Sequence, residues 1–403
     1  MIEPKLRFKT DDGSQFPDWE EKVFGDFVDT HLEKTSDKDK YPLYSLTIES
    51  GVQPKTDRYE REFLVKKEGD NYKIVPPNAF VYNPMNLRFG ALKVNHEKFS
   101  VSVSGYYDVF SLKDDSVLAF WENYLVTSKM LNYYFSIATG SLIEKLRVHY
   151  SQFVKIKKPL PSLPEQQKIA EFLSTIDTVI EKQKETVSAW EERKKGVMQK
   201  LFSQEVRFKA DDGSDFPEWE EKNVSSLGNI VGGGTPSTKQ KEYWCGKTAW
   251  VSSADISDND IYNINMTRFI TQDAIDDSAT KIIPKGSILI VSRVGVGKVA
   301  KAACDLCTSQ DFTNIVNPDG DSTFLSYAIL RLMQSKLQCV QGTSIKGIPS
   351  DEIKNYMLRI PCLAEQQKIA DCLSSLDDVI EKQKATLEAW KEMKKGLLQK
   401  MFV

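Results

Sequence analysis

From Ile169 the apolar side chains return in alternating steps of four and three. They are Leu173, Ile176, Ile180, Val187, Trp190, Val197 and Leu201, and only Gln183 and Lys194 interrupt the series. This spacing predicts a long helix with one apolar seam, of the kind that coiled coils bury. Glu181, Lys182, Lys184, Glu191 and Glu192 make its other faces polar. The pattern recurs from Ile369 through Leu373, Leu376, Ile380, Leu387, Trp390, Leu397 and Met401, with Gln383 and Lys394 as the matching interruptions. At about 1.5 Å per residue each helix is a rod of roughly 57 Å. The buried polar positions are expected to fix register at some cost in stability. Gly196 and Gly396 each cost a helix about 1 kcal/mol against alanine, and close helix approach or fraying would account for them equally. Ser162-Leu163-Pro164-Glu165 reads as a capping box with proline in the first turn, whereas Cys362-Leu363-Ala364-Glu365 lacks the hydroxyl.

The two seams lie in a repeat. Residues 165–202 and 365–402 are identical at 25 of 38 positions, and 7–22 and 207–222 at 13 of 16, both at an offset of 200. The intervening 23–160 and 223–360 show no comparable similarity. The chain therefore divides into an arm (1–22), a first middle domain (23–160), a helix with its tail (161–222), a second middle domain (223–360) and a second helix (361–403). An apolar stripe needs cover, and the partner closest to hand is its own repeat; homodimerisation through the stripe is the alternative. An antiparallel pair about a pseudo-two-fold axis closes the repeat like a ring cut once, with 1–22 beside the end of the second helix. Phe16-Pro17-x-Trp19 and Phe216-Pro217-x-Trp219 are the expected anchors. Asp11-Asp12-Gly13-Ser14 lacks the alternating acids and distant glutamate of a calcium loop and reads as a turn.

Within the middles, Phe80-Val81-Tyr82, Val101-Ser102-Val103 and 287–291 read as strands, and Val117–Ile137 and Thr323–Gln338 as closing helical stretches. Pro159, Pro161 and Pro361 lead into the long helices. The fold class expected is mixed α/β: two globular domains separated by two long antiparallel helices in a circularly arranged repeat.

Composition then excludes whole classes. With 40% hydrophobic residues and 403 positions the chain can bury sizeable cores, and no run is apolar enough to span a bilayer. Met1-Ile2-Glu3-Pro4-Lys5 opens no signal peptide, so a cytoplasmic protein without membrane contact is expected. The net charge of −3 excludes a polycation but leaves nucleic-acid binding open; the middles carry +2 and +1. All six cysteines fall after residue 244, which fits reduced thiols better than a disulfide scaffold. Cys304-Asp305-Leu306-Cys307 stands without a second pair, and His31, His96 and His149 lie in the other half, so no metal site is expected. Gly295-Val296-Gly297-Lys298 falls short of a phosphate loop, since Ser292 and Val299 break the pattern. No nucleophile elbow or zinc-protease motif is present. The inventory points away from catalysis.

What remains is recognition chemistry. The first middle carries Lys55, Arg58, Tyr59 and Arg61, then Tyr82, Asn83, Asn86 and Arg88, then Tyr106 and Tyr107. The second carries Thr235, Ser237 and Lys239 after three glycines, then Trp250, Ser252 and Ser253, Arg293, Lys298, Ser344 and Lys346. Such side chains contact phosphates and base edges.

The repeated helix with Pro-Ser-Leu-Pro-Glu-Gln-Gln-Lys-Ile at 161–169 resembles the specificity subunit of Type I restriction-modification enzymes. So do Gly233-Gly234-Thr235-Pro236-Ser237-Thr238, Glu242-Tyr243-Trp244, Trp250-Val251-Ser252-Ser253, Tyr82-Asn83-Pro84-Met85 and 105–110, and the likeness covers essentially the whole chain. It implies that each middle is a target-recognition domain reading one half of a bipartite double-stranded DNA sequence. It implies that the helices space the domains and bind two modification subunits, which carry S-adenosylmethionine and methylate adenine. ATP-driven restriction subunits, with magnesium, would join for cleavage, and no cofactor would reside in this chain. A protein-interaction scaffold without a DNA role, and a hidden hydrolase, are the rival expectations.

Overall fold

The computed structural model describes residues 4–48, 51–55, 72–114, 117–142, 145–339 and 347–402. It forms two compact units, one of residues 1–187 with 383–403, the other of 188–382. Two long helices, α4 (Leu163–Phe202) and α8 (Leu363–Met401), each contribute one end to each unit.

In the first unit β1 (Glu20–Val23) pairs antiparallel with β11 (Lys157–Leu160), tying the arm to the strand that leads into α4. An antiparallel sheet runs β2 (Val28–His31), β10 (Asp108–Leu112), β7 (Phe80–Tyr82), β8 (Leu92–Val94). A second runs β3 (Lys34–Thr35), β6 (Tyr72–Val75), β9 (Val101–Val103), beside a ribbon of β4 (Tyr44–Thr47) and β5 (Gly51–Pro54). Helices α1 (Leu118–Tyr124), α2 (Ser128–Ile137) and α3 (Tyr150–Phe153) close the domain. Its core is aromatic: Phe24, Phe80, Phe110, Phe120, Trp121, Tyr124, Tyr134 and Phe153 are buried. Phe402, just past the end of α8, inserts its ring 5.6 Å from Phe120 and 5.4 Å from Tyr124.

The start of α4 runs antiparallel to the end of α8 in this unit. Ile176, Ile180, Val187 and Leu387 bury one another, with Phe172, Trp390 and Leu397 half-buried against them, and Ile169 and Leu173 join the cluster holding Met401. Gln183 donates through Nε2 to Gln383 Oε1 at 2.8 Å and to its backbone oxygen at 3.0 Å, while Lys394 pairs with Asp177 at 2.6 Å. The polar breaks in the seam are thus each met by a partner on the other helix.

In the second unit β12 (Glu220–Asn223) pairs with β21 (Met357–Ile360). An antiparallel sheet runs β13 (Asn229–Gly232), β20 (Phe312–Val316), β17 (Ile288–Val291), β18 (Val299–Lys301). A mixed sheet runs β15 (Phe269–Ile270), β14 (Thr248–Val251), β19 (Leu306–Thr308), β16 (Ile282–Ile283), with β14 and β19 parallel. Helices α5 (Gln272–Asp276), α6 (Ser322–Cys339) and α7 (Ser350–Lys354) complete it. Here the end of α4 meets the start of α8: Leu201 shares a cluster with Ile369 and Leu373, and Leu376 packs half-buried against it. Lys194, only 8% exposed, pairs with Asp377, which also accepts the Tyr327 hydroxyl, and its ammonium lies 4.9 Å from the Tyr327 ring centroid. Ile380 is buried and Trp190 half-buried.

The expected capping box does not form. Glu165 is fully buried and accepts from Arg7 Nε at 3.0 Å, Arg7 Nη2 at 2.8 Å and Trp19 Nε1 at 3.2 Å, while Ser162 Oγ is buried without a partner. Glu365 meets Arg207 Nε at 3.1 Å, Arg207 Nη2 at 2.9 Å and Trp219 Nε1 at 3.2 Å. An ion pair with the arm outcompetes a local cap, so α8 starts as firmly as α4 although Cys362 offers no hydroxyl oxygen. Gln166 and Gln366 donate to Pro161 and Pro361 oxygens, and Lys168 and Lys368 to Lys9 and Lys209 oxygens. Leu6 donates its N–H to Lys400 O in the first unit, as Val206 does to Lys200 O in the second, so the described part of the arm, from residue 4, lies against the end of α8.

Other expectations shift. A Cβ on Gly196 or Gly396 meets nothing within 4 Å, and the helices continue through both, so neither close approach nor fraying explains them. Asp11–Ser14 is a turn, with Asp12 accepting the Ser14 N–H at 2.9 Å; the Thr10 hydroxyl first, then Ser14, hold its carboxyl down to about 2. Cys307 is buried in β19 and Cys304 is exposed, so the CxxC thiols face different surroundings. No described helix is long and apolar enough to cross a membrane.

Candidate nucleic-acid interface

In the second unit the loops meet at the ends of β14, β19 and β17. Parallel β14 and β19 place Ser252 and Ser309 at the same edge, and Ser309 N donates to Val251 O at 2.9 Å. The glycine-rich loop is welded there: Gly234 N donates to Thr308 O at 2.8 Å, and a Cβ on Gly233 would lie 2.1 Å from Ser309 O. Only glycine permits that approach. Trp250 is buried and donates through Nε1 to Gly234 O at 2.9 Å; Trp244 packs edge-on to it at 5.0 Å and donates to Ser237 O at 3.1 Å. Both tryptophans therefore serve as supports for the loop that carries Thr235, Ser237 and Lys239, all exposed. Thr235 bonds Gln310 across the edge. Ser292 and Arg293 donate backbone N–H groups to Asp311 O at 2.8 and 3.2 Å, which brings the β17–β18 hairpin to the same place.

The edge gathers Thr235, Ser252 and Arg293 from the residues singled out in the sequence. Ser253 is buried, and Lys298 turns its ammonium to Ile256 O at 2.9 Å and Asp258 at 3.7 Å. Ser344 and Lys346 lie outside the described residues. The structure adds Arg268, which no sequence pattern marked. Its guanidinium stacks 4.6 Å from the Trp250 ring centroid and donates to Ser252 Oγ at 2.7 Å and to Asp255.

In the first unit Asp108 pairs with Tyr82, so the next residues, Tyr107 and Asn83, share one end of adjacent strands. Tyr106 is 89% exposed at the tip of the β9–β10 turn, and Tyr107 is half-buried, which raises its phenol. Asn83 accepts the Met85 N–H and is followed by exposed Asn86 and by Arg88, whose guanidinium lies 4.8 Å from Phe89 and 5.8 Å from Phe135. Tyr82 is fully buried and belongs to the core. Lys55 is half-exposed at the end of the β4–β5 ribbon; Arg58, Tyr59 and Arg61 lie outside the described residues.

Two dissimilar polar edges thus stand on a repeated support. The Type I restriction modification DNA specificity domain matches residues 17–188 and again 217–389, and the chain belongs to that family. The Type I restriction enzyme MjaIX specificity subunit of Methanocaldococcus jannaschii is 36% identical over 207 residues, covering 50% of this chain and 48% of that protein. The match thus spans about half the length of that relative. Two solved structures share the fold at low identity. The S subunit of a Type I restriction-modification system from M. genitalium has a TM-score of 0.53 at 14% identity, over 100% of this chain and 99% of that one. A chain from a structure concerned with assembly and conformational transition of the type I R-M system has 0.56 at 15%, over 96% and 98%.

Proposed function

We propose that this chain is the non-catalytic DNA specificity subunit of a Type I restriction-modification complex. Each middle domain reads one half of a bipartite duplex target through its polar edge. Two modification subunits dock on the repeated arm-and-helix scaffold; they supply S-adenosylmethionine and methylate adenine, and restriction subunits with ATP and magnesium join them. The observation that carries this is the pairing of one support, repeated contact for contact, with two unlike edges, an arrangement suited to identical partners and unlike half-sites. Adenine methylation mapping in cells that co-express the chain with its modification subunit tests it. The expected result is a bipartite motif with a fixed gap, one half of which changes when one middle is exchanged. A stable complex that leaves no new methylated motif favours a protein-interaction scaffold.

A further inference from the structure

The tip of the β17–β18 hairpin holds a residue that folding alone does not account for. Val294 sits at φ +40°, a left-handed setting that disfavours a β-branched side chain, between exposed Arg293 and Gly295 at φ +84°. Glycine occupies the other positive-φ positions of this tip, Gly295 and Gly297. Val294 is 71% exposed, so the fold gains little packing from the side chain that strains it.

The base of the hairpin is held firmly. Gly297 N donates to Val291 O at 3.1 Å, Val291 N to Lys298 O at 2.9 Å, and Ile348 N to Ser292 O at 2.8 Å. Gly297, at φ +99°, lies beneath Leu337 of α6, which a Cβ there would displace, 2.3 Å from its Cδ1. The hairpin base thus holds Val294, a residue of few χ1 rotamers, next to Arg293 and at the strand end where Ser292 and Arg293 meet Asp311, adjacent to Gln310 and its partner Thr235.

We infer that Val294 is a specificity-determining residue of the second unit, packing its methyl groups against the 5-methyl of a thymine in the major groove. This rests on the DNA-reading function proposed above. Thymine is the base that offers an apolar group to that groove, and a small rigid apolar side chain beside a cation is suited to reading it next to a phosphate or a purine acceptor. The strain is then borne for contact with DNA.

The experiment uses the chain bound to its modification subunit and duplexes carrying the methylated motif, with each thymine replaced in turn by deoxyuridine. The wild-type complex is expected to lose about fourfold in affinity at one thymine of the half-site, the effect of one buried methyl. Val294→Gly is expected to bind the thymine and uracil duplexes equally, and to raise Tm by about 2–4 °C as the strain is released. Val294→Ala removes the β-branch but keeps a Cβ, and is expected to show a reduced preference with a smaller gain in Tm than glycine gives. A wild-type complex indifferent to every replacement, a motif without thymine, or a glycine variant that keeps the preference would overturn the inference. Absence of any methylated motif with the wild-type chain would instead remove the DNA-reading function itself.

Discussion

Glu165 and Glu365 are fully enclosed carboxylates whose charge is matched by an arginine fork and an indole N–H, and such groups are costly to disturb. Glu365→Ala leaves Arg207 without its main partner and is expected to destabilise the second unit by about 3 kcal/mol in denaturant unfolding. Ser162→Ala, by contrast, removes an oxygen without a hydrogen-bond partner and is expected to be neutral or slightly stabilising, the reverse of what a capping serine would show. Motif and spacing pointed to that cap because the competing arginine stands 158 positions away. The thiols divide in the same local way. Burial pushes Cys307 up to about 11, so near pH 8 it is expected to resist alkylation in the native state, while exposed Cys245 and Cys304 react. Mass spectrometry after a short iodoacetamide pulse reads the difference directly.

Among the elements, the long helices were the most readable, because a seam with matching interruptions in two copies leaves little choice of partner. Both start just after the positions read as their entry, Ser162 and Cys362, at Leu163 and Leu363, although the cap itself does not form. The strands of the middles were readable only where apolar runs were dense. The edge was readable in its glycines and serines but not in Arg268, because stacking on Trp250 depends on a register between β14 and β15 that no local pattern encodes. The two helical glycines illustrate the opposite failure, a sequence oddity to which the structure assigns no packing role. With open space around both, Gly196→Ala and Gly396→Ala are each expected to stabilise the protein by about 1 kcal/mol, measured by thermal unfolding. The same change at Gly233 or Gly234 drives a methyl into backbone and is expected to disrupt the polar edge.

At the scale of the molecule, the second unit is one continuous stretch, 188–382, that contains its own arm, domain and both helix ends. That fragment is expected to unfold cooperatively by itself, checked by circular dichroism in urea. Residues 1–187 alone lack the α8 end that covers Ile169, Leu173 and Phe120, and are expected to regain a cooperative transition when a peptide of residues 383–403 is added. The unequal cutting of an evenly repeated architecture was visible in the order of the repeats, and so were Trp19 and Trp219 as junction anchors; their bonding to Glu165 and Glu365 beside Arg7 and Arg207 was not, since these residues are scattered along the chain. That weld has an evolutionary corollary. Because both junctions use the same donors on the same acceptor, a crossover between alleles inside the repeated helices delivers a foreign middle domain into a socket that already fits it. Inheritance can then exchange a middle domain without redesigning what holds it, and the two parts are free to diverge at different rates.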